Sequence, residues 1–157
     1  MNSMMVAVIG PGSCSDEQAK LAERVGELLA EERAVLICGG KGGVMEAACR
    51  GASERGGITI GILPGTDRDS GNRFLTVPIP TGLGEARNAI VAQAGQAIIA
   101  IGGGPGTLSE IALGIKAGIP VFALGSWKAS QSDGQPLGAI YVDTPEQAVE
   151  LALREVG

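Results

Sequence analysis

The sequence contains no histidine. That absence removes Ser-His-Asp and Cys-His triads as catalytic devices, along with every histidine-ligated metal site. Aromatic residues are also scarce, at 3% of the 157 residues, with a single tryptophan and a single tyrosine. A platform that stacks successive bases of a strand needs more of them. Basic side chains are the minority, with 12 Lys and Arg against 17 Asp and Glu, for a formal charge of −5. An acidic chain does not draw a polyanion over its whole surface, so no nucleic-acid partner is expected. A single phosphate asks for less, namely a few backbone N–H groups and one or two cations.

Only three cysteines occur, Cys14, Cys38 and Cys49, and they do not sit at zinc-site spacing. An odd, sparse set points to a reducing cytoplasm, and no metal site is expected. The first five residues carry no basic side chain, and the apolar run that ends at Ile9 is too short for a signal peptide or a membrane span. No membrane partner is expected.

Glycine is what the chain has in excess, at 26 of 157 residues, against a usual share of roughly 7%. No short repeat accompanies it, so collagen and solenoid architectures are excluded. The glycines punctuate apolar runs instead. Met4–Ile9 reads as a buried strand ending in Gly10-Pro11-Gly12, and Ser15 with Gln18 forms a capping box for a helix running to about Glu32. The unit recurs: strand Ala34–Cys38 and helix Gly43 to Arg55, then strands Ile58–Leu63 and Phe74–Ile79. Helix Leu83–Ala94, strand Ala97–Ile101, helix Thr107–Ala117 and strands Pro120–Leu124 and Ala139–Val142 follow. The last helix has Thr144 as cap, Pro145 first and Gln147 at the box position.

Strands apolar on both faces and alternating with helices imply a doubly wound, Rossmann-like α/β fold. The expectation is one domain over residues 1–157, with a mostly parallel sheet of six or seven strands and helices on both faces. The polar segment between the third and fourth strands is too short for a good helix, which leaves the strand order there open. Ligands of such sheets bind at the carboxyl edge, near the topological switch point. Each glycine-rich loop that follows a strand lies on that edge.

Three stretches on this edge carry chemistry. Gly102-Gly103-Gly104-Pro105-Gly106-Thr107-Leu108-Ser109-Glu110 links a strand to a helix and offers free N–H groups and a hydroxyl to a phosphate. It lacks the Gly-Lys-Ser/Thr of a P-loop, and the first strand's Gly10-Pro11-Gly12-Ser13 lacks the dinucleotide spacing. Gly39-Gly40-Lys41-Gly42-Gly43-Val44-Met45 is a second such turn, which tight helix–sheet packing would also explain. Gly82 to Asn88 opens a helix and brings Arg87, which would face the site or else lie solvated. Glu110 has two readings: a capping box with Thr107, or a carboxylate in the pocket. Glu46 and Glu85 read as solvated, and Trp127 and Lys128 as loop residues that would cover a ligand or simply face solvent.

Taken together, Gly39 to Met45, Arg87 and Gly103 to Glu110 resemble the LONELY GUY proteins, often labelled lysine-decarboxylase-like, over about Val6 to Leu124. Gly102 stands where that family has proline, Asn88 where it has lysine, and the chain is short. The resemblance is therefore to the compact branch that includes the molybdenum cofactor carrier proteins. Lysine decarboxylation has no support, because Lys41 in a glycine turn is a poor Schiff-base lysine. The resemblance implies a small phosphorylated, nucleotide-like ligand, either the molybdenum cofactor held without turnover or AMP. The alternative is a nucleoside 5′-monophosphate phosphoribohydrolase, in which Arg87 orients the substrate and Glu110 stabilises an oxocarbenium-like centre.

The expected ligand-binding set is Gly12, Ser13, Gly39, Gly40, Lys41, Gly42, Gly43, Met45, Arg87, Asn88, Gly103, Gly104, Gly106, Thr107 and Glu110, and no resident cofactor is required. Apolar residues in excess of one helix face, among them Ile90, Val91, Ile111, Leu113 and Ile115, point to an interface. The resemblance likewise implies a homodimer or a dimer of dimers.

Overall fold

Apolar runs bounded by glycine become strands because a sheet covered on both faces leaves them no exposed side. Val6 to Ile9 and Ala97 to Ile101 are exposed by 1% or less. The computed structural model describes residues 3–156. In chain order the elements are β1 (Met5–Ile9), α1 (Asp16–Glu31), β2 (Val35–Cys38), α2 (Val44–Glu54), β3 (Thr59–Leu63) and β4 (Val77–Pro80). Then come α3 (Asn88–Ala94), β5 (Ala97–Ile101), α4 (Pro105–Lys116), β6 (Val121–Leu124), β7 (Ile140–Val142) and α5 (Pro145–Val156).

The strands form one seven-stranded sheet in the order β4-β3-β2-β1-β5-β6-β7, with each pair parallel. Helices α1, α2 and α5 pack on one face with Val6, Val8, Leu36, Ile99 and Phe122. Helices α3 and α4 pack on the other with Ala7, Ile9, Ile37, Ile98 and Val121. This is the Rossmann-like α/β architecture the sequence implies. No helix among the described residues is long and apolar enough to cross a membrane.

Helix starts follow their caps. Ser15 Oγ accepts from Gln18 N at 3.2 Å and Gln18 Oε1 accepts from Ser15 N at 3.2 Å, which closes the box expected for α1. Thr144 Oγ1 accepts from Gln147 N at 3.1 Å, but the Gln147 side chain accepts from Asp143 N, one residue before the cap.

Three expected boundaries move. The Leu83–Ala94 helix is a 3₁₀ turn, Gly84–Arg87, followed by the seven-residue α3. The fourth strand begins at Val77, because Phe74 to Thr76 are held by the Thr59 hydroxyl, which donates to Phe74 O at 2.7 Å and accepts from Thr76 N at 2.9 Å. Helix α4 begins at Pro105 instead of Thr107, since proline is favoured in a first helical turn. Between β3 and β4 the chain makes only a 3₁₀ turn at Arg68–Ser70, so β4 ends as an edge strand in which Pro78 and Pro80 are tolerated.

The glycine excess has a second use that the loops do not reveal. Helices α1 and α2 cross so closely that a Cβ on Gly26 would lie 2.0 Å from Ala48 O, and one on Gly51 would lie 2.0 Å from Glu23 O. The contact is backbone on backbone, so no rotamer change relieves an added methyl. Gly26→Ala and Gly51→Ala should each lower unfolding free energy by about 2 kcal/mol in urea titrations. The double variant should lose less than the sum, because one displacement of α1 relieves both clashes.

Candidate functional site

β1 pairs with β2 on one side and β5 on the other. The helices that follow β1 and β5 pack on opposite faces, so the two loops diverge and a crevice opens between them. The strand ends must come close for this. A Cβ on Gly10 would lie 2.5 Å from Ile101 O and 2.5 Å from a methyl of Val44. Gly43, at φ 62° and ψ −128°, adopts a backbone reserved for glycine and turns α2 so that Val44 N donates to Pro11 O at 3.1 Å.

A cavity of about 360 Å³ fills the crevice. The β1 loop contributes Gly10, Pro11 and Gly12, the β2 loop and α2 give Lys41 and Met45, and the β5 loop gives Gly104 to Thr107. Glu85, Arg87, Asn88 and Glu110 supply the remaining polar groups. No side chain caps α4, so its first N–H groups have neither a helical partner nor a capping oxygen. Oriented N–H groups of this kind suit an anion.

Arg87 is only 8% exposed. Its Nη1 donates to Asn88 Oδ1, Asn88 Nδ2 donates to Ser109 Oγ at 3.3 Å, and Ser109 Oγ donates to Gly106 O at 2.7 Å. This chain ties the start of α3 to the start of α4. The guanidinium rests against the end of β2, where a Cβ on Gly39 would lie 2.9 Å from Nη2. Arg87 Nε is buried without a hydrogen-bond partner. A buried orphan donor on a cation is costly. Lys41 Nζ donates to Ser70 O at 2.8 Å, which ties its ammonium to the segment between β3 and β4.

Glu110 is 7% exposed, and its carboxylate makes no hydrogen bond among the described residues. The capping box with Thr107 does not form, because Gly104 is the N-cap of α4 and Thr107 is already helical. Burial raises the Glu110 carboxyl from 4.5 to about 7; the Arg87 charge pulls it down and Glu85 adds to the rise.

Geometry of this kind has relatives. The profile of the SLOG cluster4 family matches residues 3–149. This chain belongs to the SLOG cluster4 family. The LONELY GUY-like resemblance read from the sequence is thereby shown. An uncharacterised protein of Archaeoglobus fulgidus is 42% identical over 153 residues, covering 98% of this chain and 97% of that one. The molybdenum cofactor binding protein of Rippkaea orientalis superposes with a TM-score of 0.91 at 36% identity, over 100% of this chain and 99% of that one. The molybdenum cofactor carrier protein of Chlamydomonas reinhardtii gives 0.84 at 32% identity, over 99% of each chain.

In this SLOG protein the cavity gathers Gly12, Lys41, Met45, Arg87, Asn88, Gly104, Gly106, Thr107 and Glu110 from the expected set. Gly103 lies on a neighbouring recess instead. Ser13, Gly39, Gly40, Gly42 and Gly43 do not line the cavity. Asn72 explains part of this: its N donates to Gly40 O at 2.9 Å and its Nδ2 to Lys41 O at 3.0 Å, so the 64–73 segment covers that glycine turn. Gly43 serves packing, since a Cβ there would lie 2.3 Å from Pro11 O, and one on Gly42 would lie 3.1 Å from Gly12 O. Sequence reasoning left out Gly10, Pro11, Glu85 and Pro105. The first, second and fourth were legible as loop residues on the carboxyl edge. Glu85 is solvated, as its position suggested, yet lies at the cavity mouth. Away from this edge Glu23, Glu27 and Glu54 bring three carboxylates together, and Arg50, Arg24 and Arg55 pair with the first two.

The raised Glu110 carboxyl sets a pH dependence. The native state keeps a proton that the unfolded chain has already released, so the group's contribution to stability is full below 4.5 and is lost as pH rises through about 7. At about 1.4 kcal/mol per pH unit, the loss is about 3 kcal/mol. Unfolding free energies measured from pH 4.5 to 8 should fall by that amount relative to Glu110→Gln, which carries no titrating proton. Parallel pH profiles for the two proteins would contradict this assignment.

Proposed function

We propose that this protein binds the molybdenum cofactor, a phosphate-bearing pterin with a metal dithiolene, and carries it without turnover. The observation behind this reading is Arg87. Its buried guanidinium, with Nε unpartnered, shares one cavity with the uncapped start of α4, and a planar multi-donor cation suits a phosphate. The donors fit the phosphate end of such a ligand. The near-full-length likeness to cofactor-binding proteins from Rippkaea and Chlamydomonas supports the choice of ligand. Three free cysteines, two of them buried, suit a reducing cytoplasm.

Glu110 favours a second reading, a nucleoside 5′-monophosphate phosphoribohydrolase. A buried carboxylate near neutrality beside Arg87 has the placement needed to stabilise positive charge at a ribosyl carbon. One experiment separates the two. Pure protein is incubated with AMP and assayed for adenine and ribose 5-phosphate, while cofactor binding is measured at equilibrium. Tight cofactor binding without base release is the expected result, and Arg87→Leu should weaken that binding at least tenfold, the loss of a charge-assisted contact of about 1.5–3 kcal/mol. Adenine release that Glu110→Gln abolishes would replace carriage with hydrolysis.

Of the residues expected at an interface, Val91 and Ile111 lie in the core instead, whereas Ile90 is exposed. Val77, Ile79, Leu83 and Ile90 are all at least 38% exposed, although they are large and apolar. Exposed apolar side chains on β4, on α3 and between them support a homodimer that covers them. Light scattering at micromolar concentration should give a dimer or a dimer of dimers, and Leu83→Asp should shift it toward the monomer.

A further inference from the structure

Aromatic side chains are scarce here, and the single tryptophan lies beside the glycine loop of the candidate site. Trp127 Nε1 donates to Gly104 O at 3.0 Å. A Cβ on Gly103 would lie 3.3 Å from that nitrogen, so the absence of a side chain lets the indole rest on the loop backbone. Its hydrogen bond fixes one edge of the ring, while 37% of the residue stays exposed.

The exposed part borders a second, open recess of about 430 Å³ walled by Gly103, Gly125, Ser126, Trp127 and Lys128. Ser126 is on this wall, and its Oγ is buried without a hydrogen-bond partner. Lys128 Nζ stands 5.5 Å from the centre of the Tyr141 ring and is not paired with a carboxylate among the described residues. The two cavities flank one loop, with Gly104 on the first and Gly103 on the second.

A held, part-exposed aromatic ring beside a lysine that has no carboxylate partner among the described residues suits a flat heterocycle with polar edges. We propose that this recess is a second subsite, which takes the heteroaromatic end of the ligand while its phosphate occupies the Arg87 cavity. Trp127 stacks on the ring. The proposal rests on the reading of the first cavity as a phosphate site. It makes Trp127 a specificity residue, one that separates ring-bearing phosphates from simple ones.

The test uses Trp127 itself, because no other tryptophan contributes to the emission. AMP and ribose 5-phosphate serve as probes that differ only by the base, and stacking tolerates either a purine or a pterin because both present a π-face. AMP should quench or shift the emission, whereas ribose 5-phosphate should compete with AMP and leave the emission unchanged. Trp127→Ala should weaken AMP by at least about tenfold, the usual scale of one stacked base. Ribose 5-phosphate affinity should be unaltered in that variant. Trp127→Phe keeps a ring but loses the bond to Gly104, and it should retain most of the AMP affinity, which guards against a merely disordered loop. AMP binding with silent tryptophan emission, or equal losses for both probes in Trp127→Ala, overturns the subsite and leaves the phosphate site standing. Failure of both probes to bind the native protein overturns both.

Discussion

The double pairing of β1 is the constraint on which the site depends. Ala7 is in register with Ile37 on one side and with Ile98 on the other, so the strand is buried in the middle of the sheet. Sheet growth runs outward from it in both directions, and its two neighbouring crossovers leave on opposite faces. Parallel strands then end in loops that part company above the sheet. The crevice is therefore a result of topology before any side chain is considered, and glycine is needed at the strand ends because Ile101 O and Val44 already occupy the space around Gly10.

Electrostatics then gives the crevice its character. Arg87 and Glu110 are buried in one cavity without an ion pair within hydrogen-bonding distance among the described residues. Desolvation moves the acid toward its neutral form, against the opposing pull of the Arg87 charge. Near neutrality the balance in the cavity is thus tipped toward positive, despite the acidic surface of the whole chain. The ordered chain from Arg87 through Asn88 and Ser109 to Gly106 gives this charge a fixed position relative to the α4 start.

Much of this was legible in the sequence, for identifiable reasons. Runs such as Ala97–Ile101 are apolar at every position, and only a parallel sheet covered on both faces buries them so completely. The carboxyl-edge loops followed from that sheet, and with them Gly12, Gly104, Gly106 and Thr107. The α4 boundary was misplaced because Thr107 resembles an N-cap, while Pro105 actually opens the helix. The turn at Gly39–Gly43 was credited with more of the cavity than it lines, because the covering contacts come from Ser70 and Asn72, about 30 residues on. Gly26 and Gly51 carried no local signal at all. Their need arises only when two helices meet, and single-element patterns do not encode that distance.

The edge strand β4 has a consequence of another kind. Leu63 is in register with Pro80, and Thr81 N donates inward to Leu63 O at 3.1 Å. In a parallel ladder the alternate residues face away, so Pro78 and Pro80 turn their backbone outward. Neither has an N–H to offer there. The free border of the sheet offers carbonyl acceptors but no donors at these two positions, which opposes pairing with a further strand. Whatever covers Val77 and Ile79 therefore meets their side chains more readily than the backbone of the strand.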